Sequence, residues 1–253
     1  QAKLTTSFII FGPVAIFGLG VAIPIIWTLK TNNSMLSEIG IKSENLFVSL
    51  LLSAIFGIIQ YTMTLGTIEI PRFEVVFPLT FMALAVGLFE NIFFRGWLQT
   101  RFEKSFGIIP GILSSSGLYA LYHIGYGMNW DEIGFLFIIG LVYSTIFALT
   151  KNVFILWPFL TPFGGLYSNL SEGLVIPFDA AYGFMLVIGL MIQAIIIGVV
   201  IEKKRESGEM GSAVGLKTKM VKYFTNMKES RKLILLGFTI FSFWMIATFL
   251  LEG

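Results

Sequence analysis

Three ionisable residues sit inside otherwise apolar stretches of this chain. Glu90 and Arg95 lie in Phe89-Glu90-Asn91-Ile92-Phe93-Phe94-Arg95-Gly96, and His123 is the only histidine. Within a bilayer such a group costs at least about 2.5 kcal/mol on insertion scales, so each is a functional candidate by default. Read singly they have bland explanations: Arg95 snorkels toward an interface, Glu90 is neutralised by protonation or a hydrogen bond, and His123 is a hydrogen-bonded core histidine. Read together they can do chemistry. A desolvated carboxyl and an imidazole on adjacent helices can hold a water and take its proton, which is general-base chemistry. A third element is Trp157-Pro158-Phe159-Leu160-Thr161-Pro162-Phe163-Gly164-Gly165-Leu166-Tyr167-Ser168-Asn169. Its prolines and glycines break or bend a spanning helix and free backbone groups. Asn169 then either caps that helix or offers its amide to an oxyanion.

The geometry expected from ideal helices is imperfect. Glu90 and Arg95 are five residues apart and project about 140° apart on a 3.6-residue helix, which strains a direct pair. Counted from the ends of their apolar runs, Glu90 is about 8 residues deep and His123 about 15, a mismatch near 10 Å at about 1.5 Å per residue.

The elements that must position these residues belong to an all-α, polytopic membrane protein. Hydrophobic residues make up 56% of the chain and charged residues only 13%, against about 25% charged in soluble domains. A water-soluble core cannot absorb so much apolar surface. Cys is absent, which excludes a disulfide framework, a thiolate metal site and a cysteine nucleophile. Nothing in the sequence suggests binding to nucleic acid. Apolar runs long enough to cross a bilayer number about eight, and they form a single membrane domain over residues 1–253. They run from Thr5 to Leu29, Leu46 to Leu65, Val75 to Leu98, Ile108 to Ile124, Ile133 to Leu149, Val153 to Leu170, Ala180 to Ile201 and Leu233 to Leu251. The first is too long and too interrupted, at Pro13 and Pro24, to read as a signal h-region.

Eight crossings sort the basic residues. One side receives Lys30, Lys42, Arg101, Lys104, Lys151 and the segment from Lys203 to Lys232, while the other holds only Lys3 and Arg72. The positive-inside rule makes the first side cytoplasmic and puts both termini outside a cell membrane. Residues 202–231 form a basic cytoplasmic linker that either lies on anionic headgroups, a contact with membrane lipid, or stays solvated.

The string Glu90-Asn91-x-x-x-Arg95-Gly96, then Tyr119-x-x-x-His123, then a Pro-containing helix ending in Asn169, resembles the CPBP family of intramembrane proteases. That family includes the CAAX prenyl endopeptidases and bacteriocin-processing proteins, and carries E-E-x-x-x-R, F-x-x-x-H and H-x-x-x-N or H-x-x-x-D on successive membrane helices. The resemblance implies that Glu90 activates water, Arg95 supports it, His123 shares the water and Asn169 stabilises the oxyanion. Three positions depart from the pattern: Asn91 replaces the second glutamate, Tyr119 the phenylalanine and Gly165 the third-motif histidine. Gly165 removes one transition-state donor, and such a loss costs on the order of 10² to 10³ in rate. One Glu and one His are too few protein ligands for a catalytic zinc, which normally has three, so neither a metal nor another cofactor is expected.

The resemblance therefore implies an intramembrane endopeptidase of impaired activity, acting on a membrane-embedded or lipidated peptide. The alternative is a non-catalytic descendant that serves as a structural or regulatory subunit among partner membrane subunits. A transporter is a third reading, since broken helices and buried charge also mark substrate pathways, but no inverted repeat supports it.

Overall fold

The computed structural model describes residues 8, 10–31, 35–42 and 45–206. The expected span from Leu233 to Leu251, nearly all of the 202–231 linker and both termini lie outside the described residues. Among the described residues the chain is helical, with no strand. This is what a lipid environment demands, because a helix satisfies its own backbone groups.

Seven principal helices follow one another: α1 (Ile10–Lys30), α2 (Leu46–Met63), α3 (Phe73–Phe106), α4 (Ile108–Tyr122), α5 (Trp130–Thr150), α6 (Leu160–Ser171) and α7 (Ala180–Glu206). Among the described residues five regions are long and apolar enough to cross a membrane: α1, α2 with its short continuation to Thr67, α3, α5 and α7. The sequence suggested about eight. The 15 residues of α4 and 12 of α6 amount to about 22 and 18 Å of helix, short of a core about 30 Å thick. The expected span from Val153 to Leu170 is broken for a visible reason. Only a short 3-10 turn forms over Val153–Ile155, Pro158 interrupts the backbone ladder, and regular helix resumes at Leu160.

Helix α3 is the central element. Half of its most apolar stretch is buried, against 17% for α2, so it is packed by protein while α2 presents most of its surface outward. Its first part, Phe73–Glu90, is α-helical; Asn91–Gln99 is π-helical; Thr100–Phe106 is α-helical again. Core residues Ile16, Val21, Leu88, Ile92, Phe147 and Met191 pack between α1, α3, α5 and α7. Small side chains bring α3, α4 and α5 close together, as is usual between membrane helices. Ser115 Oγ donates to the Phe94 carbonyl at 2.8 Å, Ser116 Oγ lies 3.1 Å from Ser144 Oγ, and Gly140 packs against Tyr119. At Gly96 the main chain approaches the Ile39 carbonyl so closely that any side chain would collide with it.

The hairpin between α3 and α4 corrects the expected depths. Helix α3 does not end at Leu98 with its apolar run; it continues through the polar but helix-favouring Gln99-Thr100-Arg101-Phe102-Glu103-Lys104 to Phe106. Gly107, at φ 94°, turns the chain. Glu90 precedes that turn by 17 residues and His123 follows it by 16, so the two antiparallel helices bring them level.

Candidate functional site

Glu90 closes the α-helical part of α3, one residue before the π-helical segment, and is only 8% exposed. Hydrogen bonding in a π segment runs i to i+5, which brings residues four to five apart onto one face. The expected 140° divergence of Glu90 and Arg95 therefore does not apply. Asn91, Arg95 and Gln99 are all buried along this segment.

His123 ends α4 and starts a 3-10 turn over His123–Tyr126. Its Nδ1 lies 2.8 Å from the Tyr119 carbonyl oxygen. A carbonyl only accepts, so Nδ1 carries the proton, and in the neutral ring Nε2 keeps its lone pair. That Nε2 is 3.9 Å from Glu90 Oε1. The separation is too long for a direct hydrogen bond but suits two groups that share a water: at about 2.8 Å from each, the angle at the water oxygen is about 90°.

Tyr122 completes this centre, and its hydroxyl donates to Glu90 Oε1. Sequence reasoning missed it, although Tyr119, Tyr122, His123 and Tyr126 fall at i, i+3, i+4 and i+7, the spacing of one helix face. The Tyr122 ring lies 4.1 Å from the His123 ring, centroid to centroid, and 5.0 Å from Phe94, so its hydroxyl is held in place by packing.

Arg95 is 1% exposed. Its guanidinium carbon lies 3.9 Å from the centre of the Tyr119 ring and 5.8 Å from that of Tyr143. Cation–π contact of this kind is worth about 2 kcal/mol or more when desolvated. The tyrosine at the first position of Tyr119-x-x-x-His123 is thus the platform for Arg95, while its carbonyl fixes the His123 tautomer. None of the three guanidinium nitrogens has a hydrogen-bond partner among the described residues.

Asn91 takes a different part from an acid at that position. Its Nδ2 donates to Thr161 Oγ1 at 2.8 Å and ties α3 to the first turn of α6. From there α6 leads away from Glu90: Pro162 packs on Gly87, Gly165 lies near Ala83, and Leu166 clusters with Leu79 and Ala83. Asn169 is eight residues past Thr161, about 12 Å farther along the helix. The described contacts therefore unite Glu90, His123, Tyr122, Tyr119 and Arg95, and leave Asn169 apart. Among the described residues no group of three His, Asp or Glu side chains converges as a metal site would require.

Residues 71–160 match the family described as type II CAAX prenyl endopeptidase Rce1-like. The matched stretch contains Glu90, Arg95 and His123 and stops before Gly165 and Asn169. No curated protein and no solved structure matches the chain.

Proposed function

We propose, for a chain whose residues 71–160 place it in the CPBP family of intramembrane proteases, that it is an integral membrane endopeptidase in which Glu90 and His123 activate water. The observation that carries this reading is the facing pair of acceptors, Glu90 Oε1 and His123 Nε2, at 3.9 Å with the imidazole tautomer fixed by Tyr119. Water donates one hydrogen bond to each. As its oxygen attacks a peptide carbonyl carbon, Glu90 takes the proton; the C–N bond then breaks and the leaving amine receives that proton. The substrate is a membrane-embedded or lipid-modified peptide, and hydrolysis occurs within the bundle, about 20 Å of helix from the end that carries Arg101, Lys104 and Lys151, the end that the positive-inside rule makes cytoplasmic. Asn169 serves the oxyanion only if α6 shifts toward Glu90, and turnover is slow without a donor at Gly165.

A second reading, a non-catalytic subunit of a membrane complex, is favoured by one feature: Asn91 is engaged with Thr161 and leaves Arg95 without a carboxylate beside it. Hydrolysis of a lipidated fluorogenic peptide by the purified protein in nanodiscs separates the two. The protease reading expects cleavage that Glu90→Gln and His123→Ala each lower by about 10² to 10⁴. Absence of cleavage, or cleavage that survives Glu90→Gln, rejects it.

A further inference from the structure

Among the described residues seven buried side-chain polar atoms find no hydrogen-bond partner, and six lie on one short stretch of α3: Trp97 Nε1 and, on residues four apart, Asn91 Oδ1, Arg95 Nε, Nη1 and Nη2, and Gln99 Oε1. Asn91, Arg95 and Gln99 are each at most 1% exposed. Leaving one such group unsatisfied forfeits its full desolvation penalty, larger still for a charged one, so five together are not left dry. The set is complementary. A guanidinium brings donors only, and an acceptor amide oxygen sits one turn to either side of it. They do not bond one another directly, and this is the situation that buried water resolves, with two to four polar partners per molecule. Rotating either amide by 180° only exchanges an orphaned oxygen for an orphaned nitrogen.

The row has two ends. At one, Asn91 adjoins Glu90. At the other, Gln99 Nε2 donates to Glu103 Oε1 at 2.9 Å. Glu103 lines an open depression of about 440 Å³ together with Ser37, Glu38, Lys42, Thr100, Lys104 and Lys151. From Glu103 back to Glu90 is 13 residues, about 20 Å of helix.

We propose that Asn91, Arg95 and Gln99 bind a file of internal waters that connects the Glu103 depression to the Glu90–His123 pair. The ligand is water itself, and Arg95 is its central anchor, its guanidinium carbon held 3.9 Å from the centre of the Tyr119 ring. The file delivers the co-substrate of any hydrolysis at Glu90 through a bundle that lipid surrounds, and a negative Glu90 is balanced by the guanidinium through the same waters. The hydration stands independently of peptidase activity, so its test reads water and not turnover.

The full chain in nanodiscs, irradiated by millisecond synchrotron pulses in H₂¹⁸O, reports internal water as oxidation of adjacent rings. Tyr119 is 6% exposed and Tyr126 51%. The file predicts that Tyr119 is oxidised at a rate comparable to Tyr126 despite its burial. Gln99→Leu, which removes one end of the row without removing a charged side chain, lowers Tyr119 oxidation several-fold and leaves Tyr126 unchanged; Arg95→Leu does the same where it folds. An unmodified Tyr119 in the wild-type protein overturns the proposal, and so does Tyr119 oxidation that Gln99→Leu leaves unaltered. Peptide cleavage absent alongside an oxidised Tyr119 would reject the protease reading and keep the water file.

Discussion

His123 Nε2 faces Glu90 Oε1 across 3.9 Å because a single glycine turn reflects one helix onto the other. The two residues are level to within one position about Gly107, and contacts along the hairpin tie the two helices together: Gly111 meets Glu103, Ser115 bonds the Phe94 carbonyl, and Tyr122 reaches Glu90. The site is therefore a property of the α3–α4 hairpin, and residues elsewhere act on it mainly by holding that hairpin together.

Tyr122 is the direct partner of the carboxylate, and its removal tests whether orientation of Glu90 matters. A hydrogen bond to a charged group contributes about 1.5 to 3 kcal/mol, so Tyr122→Phe should lower kcat by roughly 10- to 100-fold. KM should stay unchanged, because the hydroxyl meets Glu90 and no part of a peptide. The ring stays in its packing with Phe94 and His123, so melting temperature should hardly move. A tenfold rise in KM with constant kcat would show that Tyr122 binds substrate instead.

Much of this arrangement was legible in the sequence, and the failures have definite causes. Hydropathy located the apolar runs, and the rarity of buried charge singled out Glu90, Arg95 and His123. Hydropathy could not see that a polar segment continues a helix, so it placed the end of α3 at Leu98 and invented a depth mismatch. An ideal 3.6-residue period could not foresee the π-helical segment over Asn91–Gln99, which puts Arg95 on the same buried row as Asn91 and Gln99. Apolar length alone counted Val153 to Leu170 as a crossing, whereas the break at Pro158 leaves a 12-residue helix. Asn169 matched a short motif by order along the chain, but order does not fix distance, and α6 carries it away from Glu90.

Gly165 is the position where the third motif lacks its imidazole. A Cβ there would meet only the Ala83 methyl, at 3.9 Å, which is ordinary contact. Gly165→His should therefore fold normally, with a melting temperature at or slightly above wild type, since Gly inside a helix costs about 1 kcal/mol relative to better helix formers. It should also raise peptide hydrolysis, by about 10-fold or more, as a restored donor reaches toward the first turn of α6. A folded variant with unaltered cleavage would place the oxyanion outside the reach of α6.

Gly96 has the opposite character. Its Cα hydrogen faces the Ile39 carbonyl oxygen, so even a methyl forces α3 away from the 3-10 turn at Leu36–Ile39. Overpacking of this kind typically costs about 1 to 3 kcal/mol. Gly96→Ala should lower the melting temperature by several degrees in detergent, while Gly117→Ala, where no atom lies within 4 Å of the new methyl, should not. Equal melting temperatures for the two variants would mean that the loop yields freely.

Charge gives the orientation expected of the bundle, and labelling tests it. Lys104 sits near the Gly107 turn, its side chain 57% exposed and paired with Glu38 at 2.7 Å. Asp131 lies at the opposite end of the α4–α5 hairpin, in the first turn of α5, where its backbone N–H donates to Asn129. Because Lys30, Lys42, Arg101, Lys104 and Lys151 fall together by the alternation of crossings, the positive-inside rule assigns the Gly107 end to the cytoplasm. Neither substitution removes a buried group, and the chain contains no cysteine to confuse the signal. In intact cells an impermeant maleimide should label Asp131→Cys and spare Lys104→Cys until the membrane is permeabilised. Labelling of position 104 from outside, with position 131 protected, would invert the bundle, and the Glu103 depression would then draw its water from outside the cell.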